Sequence, residues 1–249
     1  MRRSLIAPLF VLLLPGGLAS TTQTLGQTKL NVNQTTLEES SQLTPEISTE
    51  ELKKVLLNKS EPLLDVRSTT EYAIAHIPGS VNVYEKELER VVKLFPDKTA
   101  PFILYCNGPY CGKSKRLSEQ LVKLGYSRIR RYQLGLPVWR ALGNTVQTDL
   151  EGFRYVITKD RTAVFVDART GAEFAKATVP GAVNIRPAEA EKANEDGRLP
   201  YRDKGTRIIV FANSPDDARR VAEEIARKAY WNSSYYGGTF AELQGAQLW

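Results

Sequence analysis

Cysteine, histidine and methionine are nearly absent from this 249-residue chain, which has two cysteines, one histidine and one methionine. Two cysteines exclude a small disulfide-stapled framework. Zinc needs about four ligands, and two cysteines with a single distant histidine cannot supply them, so no metal site is expected. Beyond the first nineteen residues no long apolar run occurs, so no stable membrane span is expected once those residues are removed. A strong charge imbalance is missing as well. The formal net charge of +6 includes Arg2 and Arg3, and without them 32 basic face 28 acidic side chains, too mild a surplus to argue for nucleic acid. With 42% hydrophobic and 25% charged residues the composition is ordinary globular.

What is present begins with MRRSLIAPLFVLLLPGGLA, in which two arginines precede an apolar stretch and small residues Gly17 and Ala19 precede Ser20. This pattern predicts a secretory signal peptide over residues 1–19, hence an exported, periplasmic or secreted protein. Residues 20–43 are polar and poor in large apolar side chains, which predicts a disordered linker. The three Asn-x-Ser/Thr matches, at Asn33, Asn58 and Asn232, are taken as chance.

An internal repeat organises the remainder. LLDVRSTTEYAIAHIPGSVNV, from Leu63, returns as FVDARTGAEFAKATVPGAVNI, from Phe165, and the pairs Asp65/Asp167, Arg67/Arg169, Glu71/Glu173, Pro78/Pro180, Gly79/Gly181 and Asn82/Asn184 share one offset of 102 residues. FILYC at Phe102 matches IIVFA at Ile208, and the offset of 102 returns at Gly135/Gly237 and Gly143/Gly245. Coincidences on this scale imply a duplicated domain. The domains are set at 44–148 and 149–249.

Within the first repeat, Ser48 and Glu51 form a capping box opening a helix over 49–57. Apolar runs predict strands at 63–66, 81–83, 102–105 and 129–132; helical spacing is found at 71–75, 86–94, from Lys115 to Gly125, and at 138–142. Short buried strands alternating with helices predict an α/β fold, each domain a parallel sheet flanked by helices.

Cys106 follows the apolar strand 102–105, at the carboxyl edge where open α/β sheets bind ligands. From there to the next helix runs the loop Asn107-Gly108-Pro109-Tyr110-Cys111-Gly112-Lys113. Its glycines let backbone N–H groups turn inward around an anion, and the helix start adds positive potential. A thiol in that nest is expected to have a lowered pKa and to act as a thiolate nucleophile. A Cys106–Cys111 disulfide is the bland alternative, which in an oxidising compartment can be a resting state of the same site. Cysteine-dependent phosphate chemistry needs an arginine six residues after the nucleophile, and Gly112 stands there. Lys113 is read as the cation that draws an anionic donor, while Lys115, Arg116, Lys123, Arg128, Arg130 and Arg131 are read as solvated faces.

The D-x-R and E-Y-x-x-x-H-I-P-G-S motifs, followed by strand, cysteine loop and helix, resemble the rhodanese superfamily over both repeats. The loop is similar to the C-x-G-P-x-C variety of exported rhodanese-like proteins. The resemblance implies a sulfurtransferase that carries sulfane sulfur as a persulfide on Cys106, with Cys111 as a resolving thiol. Asn107, Gly108, Tyr110, Gly112 and Lys113 would bind a small anionic donor such as thiosulfate or a polysulfide, and a thiol or cyanide would accept. No cofactor is implied. Asp65, Arg67 and His76 carry over as structural residues, and Trp139 as a packing residue of the last helix. In the second repeat Ala212 replaces the cysteine in a loop read as two residues shorter, which implies an inactive domain serving as packing partner or protein-docking surface. A redox-sensing or protein-binding module with a Cys106–Cys111 bridge and no turnover is the alternative function.

Overall fold

A computed structural model describes residues 31–40 and 42–249. The signal-peptide reading of 1–19 and the first part of the linker, 20–30, lie outside the described residues.

Where the chain commits to structure, its local signals are those the sequence carries. Ser48 accepts from the Glu51 N–H and the Glu51 carboxylate accepts from the Ser48 N–H, which opens α1 (Thr49–Asn58). Then follow β1 (Leu63–Asp65), α2 (Thr69–Ile74), β2 (Val81–Asn82), α3 (Leu88–Leu94), β3 (Phe102–Tyr105), α4 (Lys113–Lys123), β4 (Ile129–Tyr132) and α5 (Gly135–Ala141). The second half runs β5 (Val146–Thr148), α6 (Leu150–Tyr155), β6 (Val164–Asp167), α7 (Gly171–Lys176), β7 (Val183–Asn184), α8 (Ala190–Glu195), β8 (Ile208–Phe211), α9 (Pro215–Ala226), β9 (Ser233–Tyr236) and α10 (Phe240–Gly245).

Two parallel sheets result, in the orders β2-β1-β3-β4 and β5-β9-β8-β6-β7. All four residues of β3 and of β8 are buried, as central strands covered on both faces must be. In the first domain Leu64, Leu104, Leu117 and Leu121 pack on one face of the sheet, while Leu63, Ile103, Tyr132 and Trp139 pack on the other. Trp139 is buried and donates from its indole N–H to the Thr145 carbonyl at 3.0 Å.

The repeat is a repeat of hydrogen bonds. Arg67 grips Asp65 and reaches the Ala75 carbonyl; Arg169 grips Asp167 and reaches the Ala177 carbonyl. Asn82 donates to the Asp65 and Arg67 carbonyls, and Asn184 to those of Asp167 and Arg169. Gly79 and Gly181 take the positive φ values, 83° and 76°, that the tight turn after proline requires. These buried charge-assisted contacts tie strand to helix in each domain, which is why their residues recur at a fixed offset.

Three sequence readings are corrected. First, β5, allotted to the first domain by a boundary after Thr148, hydrogen-bonds to β9 in the second sheet. It takes the edge that Glu46 takes beside Arg131 in the first sheet, so each domain begins with its own edge segment. Second, the segment before the first domain is tied down. Residues 32–34 form a 3-10 turn, the Leu37 N–H donates to Glu46, and Glu39, Gln42 and Thr44 all engage Arg131. Third, Arg131 is fully buried rather than on a solvated face.

Candidate functional site

The buried end of β3 delivers Cys106 to the sheet edge, where its neighbours are set by main-chain contacts. The Cys106 carbonyl accepts from the Leu136 N–H at 3.1 Å, so the loop leans on the start of α5. A side chain at Gly135 would overlap the backbone of Gly108, so the close approach of loop and α5 needs glycine there. Gly108 itself has φ 106°. The Cys111 N–H returns to the Gly108 carbonyl at 2.9 Å, closing a turn that folds the second cysteine back over the first.

Cys106 is buried and Cys111 half-buried, and both are free thiols. The Cys106 S–H donates to the Cys111 carbonyl at 3.2 Å, and its Sγ lies 3.4 Å from Ser114 Oγ. Of the two sulfurs the inner one is buried and the outer one half-buried, so the negative charge is favoured on the outer one. The Cys111 pKa is lowered to about 6, first by the hydrogen bond from Cys106, with the backbone N–H groups of Lys113 and Asn107 and the Lys113 charge adding to it. The same pairing with Cys111, followed by burial, raises the Cys106 thiol well above its ordinary range. The expectation of a thiolate on Cys106 is therefore corrected. Burial disfavours the inner charge despite the Ser114 N–H and hydroxyl that face it, and the N–H groups of Lys113 and Asn107 serve the outer sulfur.

The other loop residues divide. Asn107 donates to Glu71 and accepts from Arg67 at 3.3 Å, linking the loop to the D-x-R motif. Lys113 opens α4 and lies 3.4 Å from Glu71. Burial pushes the Glu71 carboxyl up, but hydrogen bonds from Ser68 and Asn107 and the Lys113 charge outweigh it and hold the pKa at about 2. Gly112 precedes α4, and Tyr110 is fully exposed at the loop tip. His76 is not among the residues gathered at the cysteines. Its backbone pairs with Gln147, its ring stacks on Tyr72 at 3.8 Å, and its Nδ1–H donates to the Tyr72 carbonyl.

Beneath the loop runs a buried polar chain that the sequence reading missed. Gln133 Nε2 donates to the carbonyls of Pro109 and Cys111 at 3.2 and 3.3 Å, while its Oε1 accepts from Ser114 and from Arg131. Arg131 in turn is held by Thr44, Gln42 and Glu39. The available signal was Gln133 itself, a polar side chain just after a buried strand, where an unpaired amide is costly.

In the second domain Ala212 occupies the corresponding buried strand end, and its carbonyl accepts from Phe240 as that of Cys106 does from Leu136. Asn213 donates to Glu173 as Asn107 does to Glu71. The loop is shorter than the sequence comparison suggested: α9 opens three residues after Ala212, whereas α4 opens seven after Cys106. Without a sulfur and with only Asn213 and Ser214 between Ala212 and α9, no comparable cradle forms. Among the described residues no helix is long and apolar enough to cross a membrane, and no cluster of three or more potential metal ligands occurs.

The rhodanese-like domain family matches residues 48–142 and 156–246. The thiosulfate sulfurtransferase PspE of Escherichia coli is 35% identical over 72 residues, which cover 28% of this chain and 66% of that protein. An HTH-type transcriptional regulator of Mycobacterium tuberculosis, Rv0324, is 32% identical over 82 residues, 32% of this chain and 35% of that protein. The chain thus spans about two thirds of the length of the first of these relatives and about a third of the second. Among solved structures, a thiosulfate sulfurtransferase from Pseudomonas aeruginosa aligns with 80% of this chain and 42% of its own, at 22% identity and a TM-score of 0.36. With both repeats matched over most of the chain, the protein belongs to the rhodanese-like family and is built of two tandem rhodanese-like domains.

Proposed function

We propose that the protein is an exported sulfurtransferase that carries sulfane sulfur as a persulfide on Cys106. The observation that carries this reading is Cys106, buried at the end of β3, with the loop turned back so that the Cys111 carbonyl accepts its S–H at 3.2 Å and the half-buried Cys111 lies beside it. The likeness to a thiosulfate sulfurtransferase supports a small anionic sulfane donor.

In the resting state Cys111 holds the negative charge. When the donor enters, the Cys106 proton moves to Cys111, and the Cys106 thiolate attacks the outer sulfur of the donor. With thiosulfate, the Cys106–sulfur bond forms as the sulfur–sulfur bond breaks, and the bonding pair leaves with sulfite. The backbone N–H groups then face an anionic persulfide in place of the thiolate. Transfer follows when cyanide or a thiolate attacks the outer sulfur and Cys106 leaves as thiolate. No separate base is needed, because the second cysteine accepts the proton. If Cys111 itself attacks Cys106 of the persulfide, the products are a Cys106–Cys111 disulfide and hydrosulfide, and an external dithiol must then reduce the bridge.

One specific observation favours a second assignment within the same chemistry. Cys111 is the more exposed and more acidic sulfur, which suits it to take the sulfur first. Mass spectrometry of protein treated with thiosulfate or polysulfide decides between them: an added sulfur atom mapped to Cys106 supports the leading assignment, one mapped to Cys111 the second. Absence of any adduct, with full activity retained in Cys106→Ser and Cys111→Ser, refutes both. Export is tested by fractionating cells that express the chain with and without residues 1–19. The second domain, lacking a sulfur, is assigned a docking role, tested by partner capture with Cys106→Ser protein.

A further inference from the structure

A cleft of about 270 Å³ between the two domains is walled by Arg67, Glu71, Asn107 and Arg140 on one side and Arg207 and Trp231 on the other. Most of its charges are already matched. Arg67 is forked on Asp65, Arg207 lies 3.1 Å from Asp160, and Glu71 is engaged by Ser68, Asn107 and Lys113. Arg140 is different. Its Nε is buried and has no hydrogen-bond partner among the described residues. The charges that act on it most are those of Arg207 and Arg67, both of its own sign.

A buried guanidinium N–H without a partner is unfavourable, because its lost hydration is not returned, while the half-buried remainder of the Arg140 group stays open to the cleft. Burial first, then the two arginines, pull the Arg140 pKa down to about 9, the direction expected of a cation awaiting a counter-charge. A larger cleft of about 630 Å³, bounded by Trp139, Arg219 and Glu223, lacks this feature, since Arg219 pairs with Glu223 at 2.8 Å.

We propose that the smaller cleft is an anion site, in which Arg140 from the first domain and Arg207 from the second together bind a small oxoanion against Trp231. It adjoins the cysteine loop through Asn107 and Glu71 but lies on the other face of the sheet from the Cys106 side chain. The Cys106 side chain packs with Leu117 on the α4 face of the sheet, whereas α5, which carries Arg140, contributes Leu136 and Trp139 to the opposite face. The ligand is a compact dianion of the sulfate type, which presents several acceptors to guanidinium donors coming from both walls. Because each domain supplies a wall, the site exists only while the domains are docked.

Sulfate is a suitable probe, since it cannot give sulfur to a thiol. Titrated calorimetrically into the full chain at ionic strength fixed with chloride, sulfate is expected to bind saturably at one site and to raise Tm with the logarithm of its concentration. Arg140→Met is expected to abolish both effects while keeping the anion-free Tm at or above that of the parent, because it removes an unpaired charge. Arg207→Gln is expected to weaken binding by about tenfold, the loss of a charge-assisted hydrogen bond. Cys106→Ser should bind sulfate unchanged, which separates this site from the sulfur chemistry. The proposal is overturned if sulfate acts no differently from chloride on the parent chain, or if its effect survives in Arg140→Met. Loss of binding in Lys113→Ala but not in Arg207→Gln would equally overturn it, by moving the anion to the cysteine loop.

Discussion

Arg131 Nη1 donates to Gln133 Oε1 at 2.6 Å, directly beneath the cysteine loop. That single contact fixes the Gln133 amide so that its nitrogen faces the carbonyls of Pro109 and Cys111, and it relays the positions of Glu39, Gln42 and Thr44 to the turn that carries the second sulfur. Arg131 and Gln133 are therefore positioning residues for the loop.

Gln133→Leu keeps the volume but removes every one of these bonds. It leaves the Pro109 carbonyl and an Arg131 N–H without partners and the Cys111 carbonyl with only the Cys106 S–H, at a cost of ~1–3 kcal/mol. A loss of that size in denaturant unfolding is expected, together with a changed pH profile of thiol alkylation, since the turn holding Cys111 is no longer braced. A variant that loses stability but alkylates with the parent pH profile would show Gln133 to be a packing residue only.

The paired sulfurs give a second expectation. Alkylation of Cys111 by iodoacetamide should follow an apparent pKa of about 6, against an ordinary value of 9.0. In Cys106→Ala the largest cause of the depression is gone, so the profile should move back toward 9. The sign for stability follows. The depressed Cys111 pKa makes the folded state gain stability as pH rises from about 6 to 9, and that contribution is lost as pH falls through 6. The raised Cys106 pKa acts oppositely, and its contribution is lost above pH 9. Melts of the parent and of the Cys106→Ala/Cys111→Ala pair between pH 5 and 10, in reductant, read the difference.

Much of this molecule is legible in its sequence, and the part that is not has a common cause. The duplication, the order of strands and helices, the capping box at Ser48 and the place of Cys106 at a strand end all follow from local patterns, and local hydrogen bonds enforce them. What escaped depends on partners distant in the chain. Arg131 reads as one more cation in a basic stretch, and only the return of Glu39, Gln42, Thr44 and Glu46 to β4 buries it. β5 reads as the tail of the first domain, because nothing local says that it will pair with β9, some ninety residues on. Which cysteine carries the charge depends on how the loop folds back, and the spacing of two cysteines does not encode that.

His76 gives a pH dependence of its own. Burial lowers its pKa below the ordinary 6.5, although the Tyr72 carbonyl and the Asp149 carboxylate, 3.9 Å from Nε2, both favour the charged form. A histidine held neutral in the folded state takes up its proton more readily when unfolded, so stability falls as pH drops below 6.5. His76→Gln, which cannot titrate, is expected to flatten the fall between pH 6.5 and 5. An unchanged slope would place the acid sensitivity in other groups.

The strongest constraint on how the domains join lies at Gly152. A Cβ built there would come within 1.9 Å of the Ala73 carbonyl oxygen, because α6 lies against the end of α2 with no room for a methyl group. The same strip holds the Asp149 N–H on the Ala73 carbonyl at 2.8 Å, the Thr148 hydroxyl on the Ile74 carbonyl at 2.9 Å, and the reciprocal backbone pair of His76 and Gln147. Gly152→Ala cannot be absorbed by a rotamer change, since the clash is with backbone. It should force α6 away and break several of these bonds together, at a cost at or beyond the ~1–3 kcal/mol typical of overpacking. Each half keeps its own sheet and core, so the expected result is a melt that separates into two transitions, with the Cys106 loop still reactive and the interdomain cleft lost. A single transition at the parent Tm would show that the close approach of α2 and α6 is not what holds the two domains in register.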